Sequence, residues 1–328
     1  MAYHTARTRA GLVQASHGDS DRDDRVSIDL AGLRRLEAQA RQIRFLPRQP
    51  ARSVLNGRHA SRLRGRGLDF AELREYLPSD DVRTIDWKVT ARTGQPHVRI
   101  FTEERDRPTL LVVDQRMSMF FGSVHNTKAV TAAECAALAA FRVVDQGDRI
   151  GGIVFGDAVI ADIRPARSRR ALTAFLTALS DANALLYANA PVVAPMPLNR
   201  VLQAVARIAR RDHLILVFSD FDEIDETTHR LVSGLARHND LILALVSDPY
   251  ADLLPPDLRI VVSDGVLQTE IDTGDRRVHR RLQDMAKGRL SEILGWQRQL
   301  GIPVLPLSAA KDSVVQMRQL MGLPGGRS

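Results

Sequence analysis

The sequence predicts an α/β fold, a doubly wound and mostly parallel sheet over residues 107–322, behind a small N-terminal accessory segment at 26–106. Three features lead there. Beyond Pro108, short apolar runs alternate with stretches of helical periodicity, the pattern of strands joined by crossover helices. The runs at 110–113 and 214–218 are unbroken, as strands buried on both faces require. Gly156-Asp157 separates two apolar runs by a turn too short for a crossover, so one antiparallel edge strand joins the parallel ones.

Residues 1–25 mix both charge signs around no apolar stretch and read as a disordered lead-in without a secretory signal. Ile28, Leu30, Leu33, Leu36 and Ala40 then recur at near-helical spacing and predict one amphipathic helix over 26–45. Residues 52–66 hold Arg52, Arg58, Arg62, Arg64 and Arg66, no acid, and glycines that break a helix, which makes a basic loop. Pro78 and Ser79-Asp80-Asp81 mark a turn, and 97–101 alternates like a strand. Further strands are expected at 109–113, 149–155, 159–164 (the antiparallel one), 213–219, 241–246 and 303–307. Helices are expected at 127–145, 169–179, 199–210, 226–236 and 276–300, and a mobile tail at 323–328.

Hydrophobic residues make up 44% and charged residues 26%, so the 328-residue chain is not of the disordered or fibrous class. No apolar run approaches the roughly 20 residues of a membrane-spanning helix. Cys135 is the sole cysteine, which excludes an internal disulfide and a thiolate metal cluster and suits a reducing, cytoplasmic setting. A net charge of +7 favours anionic partners, but the excess is modest for this length. Lysine occurs only at Lys88, Lys128, Lys287 and Lys311, so the basic character is almost wholly arginine.

Ligands of open α/β sheets gather at the carboxyl ends of the strands. Two acidic loops start there, Asp114-Gln115-Arg116-Met117-Ser118 and Ser219-Asp220-Phe221-Asp222-Glu223, and they are expected to face each other. The plainer structural alternative is that Asp114 and Asp220 cap helices and satisfy backbone amides at strand-to-helix turns.

The stretch GRGLDFAELREYLPSDDVRTIDWKVTARTG, followed by VVDQRMSMFFG, resembles the domain-of-unknown-function 58 family. That resemblance implies a von Willebrand factor A-like domain. Such domains hold a divalent cation through D-x-S-x-S after the first strand, a threonine in a second loop and a later aspartate. Asp114, Ser118 and Asp220 match three of those positions, whereas Arg116 stands in place of the first serine and Met196 near the threonine. A degenerate site is therefore expected, with Mg²⁺ as the candidate ion if any is retained, since hydroxyl and carboxylate oxygens suit hard cations. Arg116 could instead set its own charge against Asp114 or Asp220. The resemblance further marks Tyr76, Asp80, Asp81, Arg83, Asp86, Trp87 and Arg92 as the motif of the accessory segment. Two roles are open for it: partner contact, or docking through the apolar area of Tyr76 and Trp87 and through Asp/Arg pairs.

The chain lacks a phosphate-binding G-x-x-x-x-G-K-[ST], a G-x-S-x-G elbow and an H-E-x-x-H pair. A metal-dependent phosphohydrolase using Asp114, Asp220 and Asp222 is one rival, and the missing donors count against it. Nucleic-acid binding through the arginine loop is the other, and no aromatic residue interleaves there to stack on bases. The expected function is a non-enzymatic, protein-binding adaptor. The resemblance implies a MoxR-type AAA+ ATPase as partner, in chaperone-like maturation or assembly of an unknown client. Gln115, Arg116, Met196 and Asp222 are its expected contact residues.

Overall fold

The computed structural model describes residues 23–43, 68–78, 80, 82–103, 108–157, 159–187, 194–249, 259–263, 268–272 and 276–321. The basic loop at 52–66, Asp81, most of the lead-in and the tail lie outside them. Two compact units result, one within Leu46–Asp106 and one formed by the rest of the chain.

In the larger unit, β3 (Thr109–Asp114) is followed by α4 (Lys128–Asp145), β4 (Ile150–Phe155), β5 (Val159–Ala166) and α5 (Arg169–Ala184). Then come α6 (Leu198–Ile208), β6 (Leu214–Ser219), α7 (Glu226–Ala236) and β7 (Asp240–Ser247). A hairpin of β8 (Arg259–Ser263) and β9 (Gln268–Asp272), α8 (Arg276–Leu300), β10 (Val304–Ser308) and α9 (Ser313–Met321) complete it. Six strands form one sheet in the order β10-β7-β6-β3-β4-β5, parallel except for β5, which runs antiparallel to β4. The doubly wound α/β fold is thus the one the sequence predicts. The edges are β5 and β10.

Period-two alternation divides the core in two. Leu111 and Val113 of β3, Leu216 and Phe218 of β6, and Ile242, Ala244 and Val246 of β7 face a cluster with α4, α5 and α9. Leu110, Val112, Ile215, Val217, Leu241, Leu243 and Leu245 face the opposite layer of α6, α7 and α8. Helix α4 is apolar almost all round, from Ala129 to Val143, and Thr127 caps it by accepting a bond from Val130 N–H. At Gly152 a Cβ would fall within 2.5 Å of the Phe175 ring, which fixes how closely α5 approaches β4.

The amphipathic stretch expected as one helix over 26–45 is two short ones, α1 (Leu30–Arg35) and α2 (Glu37–Ala40). Residues before Asp29 are drawn off the helical path by long-range bonds. Ile28 N–H donates to Asn183 Oδ1 at 2.8 Å, and Thr127 N–H donates to the Arg25 carbonyl at 2.9 Å. The apolar face still buries: Leu33, Leu36, Ala40 and Ile43 join the core of the larger unit. This helical stretch therefore belongs with that unit, not with the accessory segment to which its place in the sequence assigned it.

In the smaller unit, β1 (Leu68–Glu75) pairs antiparallel with β2 (His97–Glu103), and α3 (Trp87–Thr93) lies between them in sequence. Asp86 caps α3, its Oδ1 accepting from Lys88 N–H at 3.0 Å, and Gly94 ends it with a left-handed φ of 74°. Neither β1 nor α3 was expected, and the same holds for the β8–β9 hairpin and α9.

Candidate functional site

The sheet order places β3 between β4 and β6, and successive connections leave β3 in opposite directions. This switch point opens a crevice at the carboxyl ends of β3 and β6. Val113 pairs with Phe218, so Asp114 and the Ser219-Asp220 step emerge side by side. The two acidic loops meet there, as expected.

The Asp114 carboxylate is fully buried and receives four donors. Arg116 supplies its backbone N–H at 3.0 Å to Oδ1, Nε at 3.0 Å to Oδ1, and Nη2 at 2.8 Å to Oδ2. Ser219 Oγ donates to Oδ2 at 2.7 Å, and Ser219 in turn accepts from Phe221 N–H at 2.9 Å. The side chain of Arg116 is only 2% exposed. Its Nη1 donates to the Met196 carbonyl at 3.3 Å, and its guanidinium carbon lies 5.7 Å from the centre of the Phe155 ring. Asp220, also buried, takes Lys128 Nζ at 2.7 Å on Oδ2 and Asp222 N–H at 3.1 Å on Oδ1, with Arg116 Nη2 3.8 Å away. Two buried carboxylates thus face two cations supplied by the chain itself.

Burial pushes the Asp114 carboxyl up, against the opposing pull of Arg116 and Ser219. All four groups aimed at its oxygens donate, and three of them, the N–H groups of Arg116, cannot accept, so the hydrogen bonds suit the ionised form. For Asp220 burial also raises, but Lys128, Arg116 and the Asp222 amide together outweigh it and hold the carboxyl below its ordinary range. Arg116 likewise loses to burial and gains more from Asp114, Asp220 and Asp222, so it is charged at every working pH.

Phe221 and Glu223 adopt positive φ, 51° and 59°, on either side of Asp222. Two non-glycine residues in this region cost of order 1 kcal/mol each, offset here by the complete burial of the Phe221 ring. Asp222 reaches outward to pair with Arg289 of α8.

The residues present do not fit a Mg²⁺ site. Such an ion needs about six oxygens in near-octahedral array, yet the Arg116 guanidinium already holds both Asp114 oxygens. Met196 contributes only a backbone carbonyl, and that carbonyl too is taken by Arg116. Ser118, in a 3₁₀ turn at Met117–Met119, has a buried hydroxyl without a hydrogen-bond partner. It is the one unengaged oxygen of the expected set.

Gln115 was expected to touch a partner, but its side chain points inward. Nε2 donates to the carbonyls of Asp114 and Ala129, both at 3.0 Å, and the residue is 1% exposed. Asp80 holds the turn after β1, bound to both terminal nitrogens of Arg74 (2.7 and 2.8 Å) and to Leu77 N–H, which keep it below the usual carboxylate range. Tyr76 N–H donates to the Pro96 carbonyl. Trp87 is 65% exposed. Arg83 and Arg92 are exposed as well.

Sequence reasoning missed Lys128 and Asn183. Lys128 had a readable signal, because a lysine in the first turn of a helix opposes the helix dipole and needs a nearby anion to hold it there.

The fold and this cleft define the class: a doubly wound α/β protein with a self-compensated carboxylate pair at its switch point. A family model described as "Protein of unknown function DUF58" matches residues 72–290, and the chain belongs to that family. It is similar to the uncharacterized protein Rv1480 of Mycobacterium tuberculosis and to Mb1516 of Mycobacterium bovis. Each is 29% identical over 282 residues, spanning 85% of this chain and 86% of theirs. Among solved structures, the conserved hypothetical protein BatB from Bacteroides thetaiotaomicron aligns with 64% of this chain and 93% of its own, at 12% identity and a TM-score of 0.39. Among the described residues, no helix is long and apolar enough to cross a membrane.

Proposed function

We propose that the chain is a non-enzymatic, metal-independent adaptor of von Willebrand factor A-like type. Its loops at 114–118, 195–199 and 220–223 bind a partner protein. The proposed partner is a MoxR-type AAA+ ATPase, acting in chaperone-like maturation or assembly of a client in the cytoplasm. One observation carries the reading: the Arg116 guanidinium sits on Asp114 with bidentate geometry where a cation-dependent relative would hold its ion. A cleft neutralised by its own buried arginine and its lysine fixes the shape of the loops above it without needing an ion. The loops around it bring half-exposed Met117, Phe120 and Ile224 and exposed Pro195 to the surface, a composition suited to protein contact.

Isothermal titration of the purified protein with Mg²⁺ and with Mn²⁺, beside capture of an AAA+ ATPase from the source cell, tests it. No heat of metal binding together with ATPase capture supports the adaptor. Micromolar metal binding that is lost in Asp114→Asn sinks metal independence, and capture lost only in the presence of a chelator does the same.

A further inference from the structure

Beneath the contact loops runs a chain of buried amides. Gln115 Oε1 accepts from Asn183 Nδ2 at 3.0 Å, and Asn183 Oδ1 accepts from Ile28 N–H at 2.8 Å. Both side chains are 1% exposed. Backbone groups set the polarity at each end. The carbonyls of Asp114 and Ala129 fix the Gln115 amide with its nitrogen toward them, and the Ile28 N–H fixes the Asn183 amide with its oxygen toward it. Neither amide can turn over without setting donor against donor. A second tie lies alongside: the Arg25 carbonyl accepts from Thr127 N–H, one residue before Lys128, which holds Asp220.

We propose that residues 25–28 are a clamp on the candidate site, with Asn183 and Gln115 as positioning residues that transmit its presence to the loop carrying Asp114 and Arg116. Residue 28 lies 86 positions before Asp114 in sequence, yet only two side chains separate its amide from the Asp114 carbonyl. With the clamp engaged, the loop is held in the one shape that seats Arg116 on Asp114. When Ile28 leaves, Asn183 Oδ1 loses the N–H that fixes its amide inside the core, and the amide can then turn away from Gln115 Oε1. Displacing residues 25–28 therefore loosens the contact surface without touching it. What the loosened loop does to partner binding rests on the adaptor reading; the clamp itself does not.

The test is amide hydrogen exchange of the full chain, comparing residues 115–119 with β7 as an internal reference for global opening. Ile28→Pro removes the N–H, Ile28→Ala removes a similar amount of side chain and keeps it, and Asn183→Leu breaks the relay at its centre. The clamp requires exchange at 115–119 to accelerate about tenfold relative to β7 in Ile28→Pro and Asn183→Leu, the factor expected for one lost buried hydrogen bond. Ile28→Ala should stay close to the parent. Unchanged relative exchange in both Ile28→Pro and Asn183→Leu overturns the clamp, as does equal acceleration in Ile28→Ala. ATPase capture by the same variants separates the two readings: accelerated exchange with undiminished capture keeps the clamp and refutes the contact role of the loop.

Discussion

Arg116→Met is the most informative single change. It keeps an unbranched side chain as far as the ε position but deletes the guanidinium, and with it the charge and the group that lies over the Phe155 ring. Asp114 would retain only the Arg116 backbone N–H and Ser219 Oγ, losing the guanidinium donors at 2.8 and 3.0 Å while staying fully buried. Stranding one member of a buried pair costs about 3–5 kcal/mol, which for a domain of this size lowers the thermal midpoint by roughly 6–20 °C. The loss depends on pH with a definite sign. Burial already holds the Asp114 carboxyl above its ordinary range, and without the opposing pull of the guanidinium it rises further. Stability is then retained at low pH and falls as pH rises through the folded pKa, so the deficit against the parent is largest near neutrality and shrinks toward about pH 4. Urea unfolding of the parent, Arg116→Met, Asp114→Asn and the double variant closes a thermodynamic cycle. A coupling of at least about 2 kcal/mol is expected. A coupling near zero, or a deficit in Arg116→Met that does not change with pH, refutes the account of the site as a self-compensated pair.

Other outcomes follow from the same geometry. Arg116→Ser restores an oxygen at the expected ligand position, so millimolar Mg²⁺ should raise its thermal midpoint by several degrees and leave the parent unmoved; equal responses refute the idea that Arg116 fills the cation position. Asp220 has a depressed folded pKa, owing to Lys128 and Arg116 overriding burial, so its contribution is present above about pH 4 and lost as pH falls through the folded value. Lys128→Met should flatten that acid limb, and an acid limb as steep as the parent's would show that the pair contributes nothing. Gly152→Ala should cost about 1–3 kcal/mol because its Cβ meets the Phe175 ring and the Leu111 carbonyl, with part of the loss recovered in a Phe175→Leu background. Asp86→Ala should cost about 1 kcal/mol by uncapping α3, seen as faster amide exchange at 88–90.

The architecture of the larger unit was legible because its strands are buried on both faces and read as unbroken apolar runs, while its helices carry amphipathic periodicity. Expected and observed bounds coincide for 226–236 and 276–300 and differ by a residue or two for most other elements there. Helix α5 runs five residues past its expected end, because Ala182 and Asn183 pack or bond inside the core where local periodicity gives no sign of it. The 26–45 stretch shows the opposite limit. Its spacing was helical, but bonds to residues 127 and 183 override local preference at its start. Asp114 and Asp220 were found because topology alone places them at the switch point. The pairing of Arg116 with Asp114 was open in the sequence, since a residue two places on can reach the carboxylate. Lys128 and Asn183 needed three dimensions, and Gln115 was placed on the wrong side of its loop because a polar residue beside a site reads as a surface group.

Both outer strands of the sheet contain a proline, Pro165 in β5 and Pro306 in β10. Pro165 lies where the β4–β5 register shifts, and Pro306 keeps its place opposite Leu245. Proline is accommodated in such strands only at a bulge or with its missing N–H turned away from the neighbour. The β10 rim is thereby short of a donor where a further strand would add, and the β5 rim is interrupted by its bulge. Edge-to-edge association, the usual hazard of an open sheet, is obstructed at both rims of the six-stranded sheet.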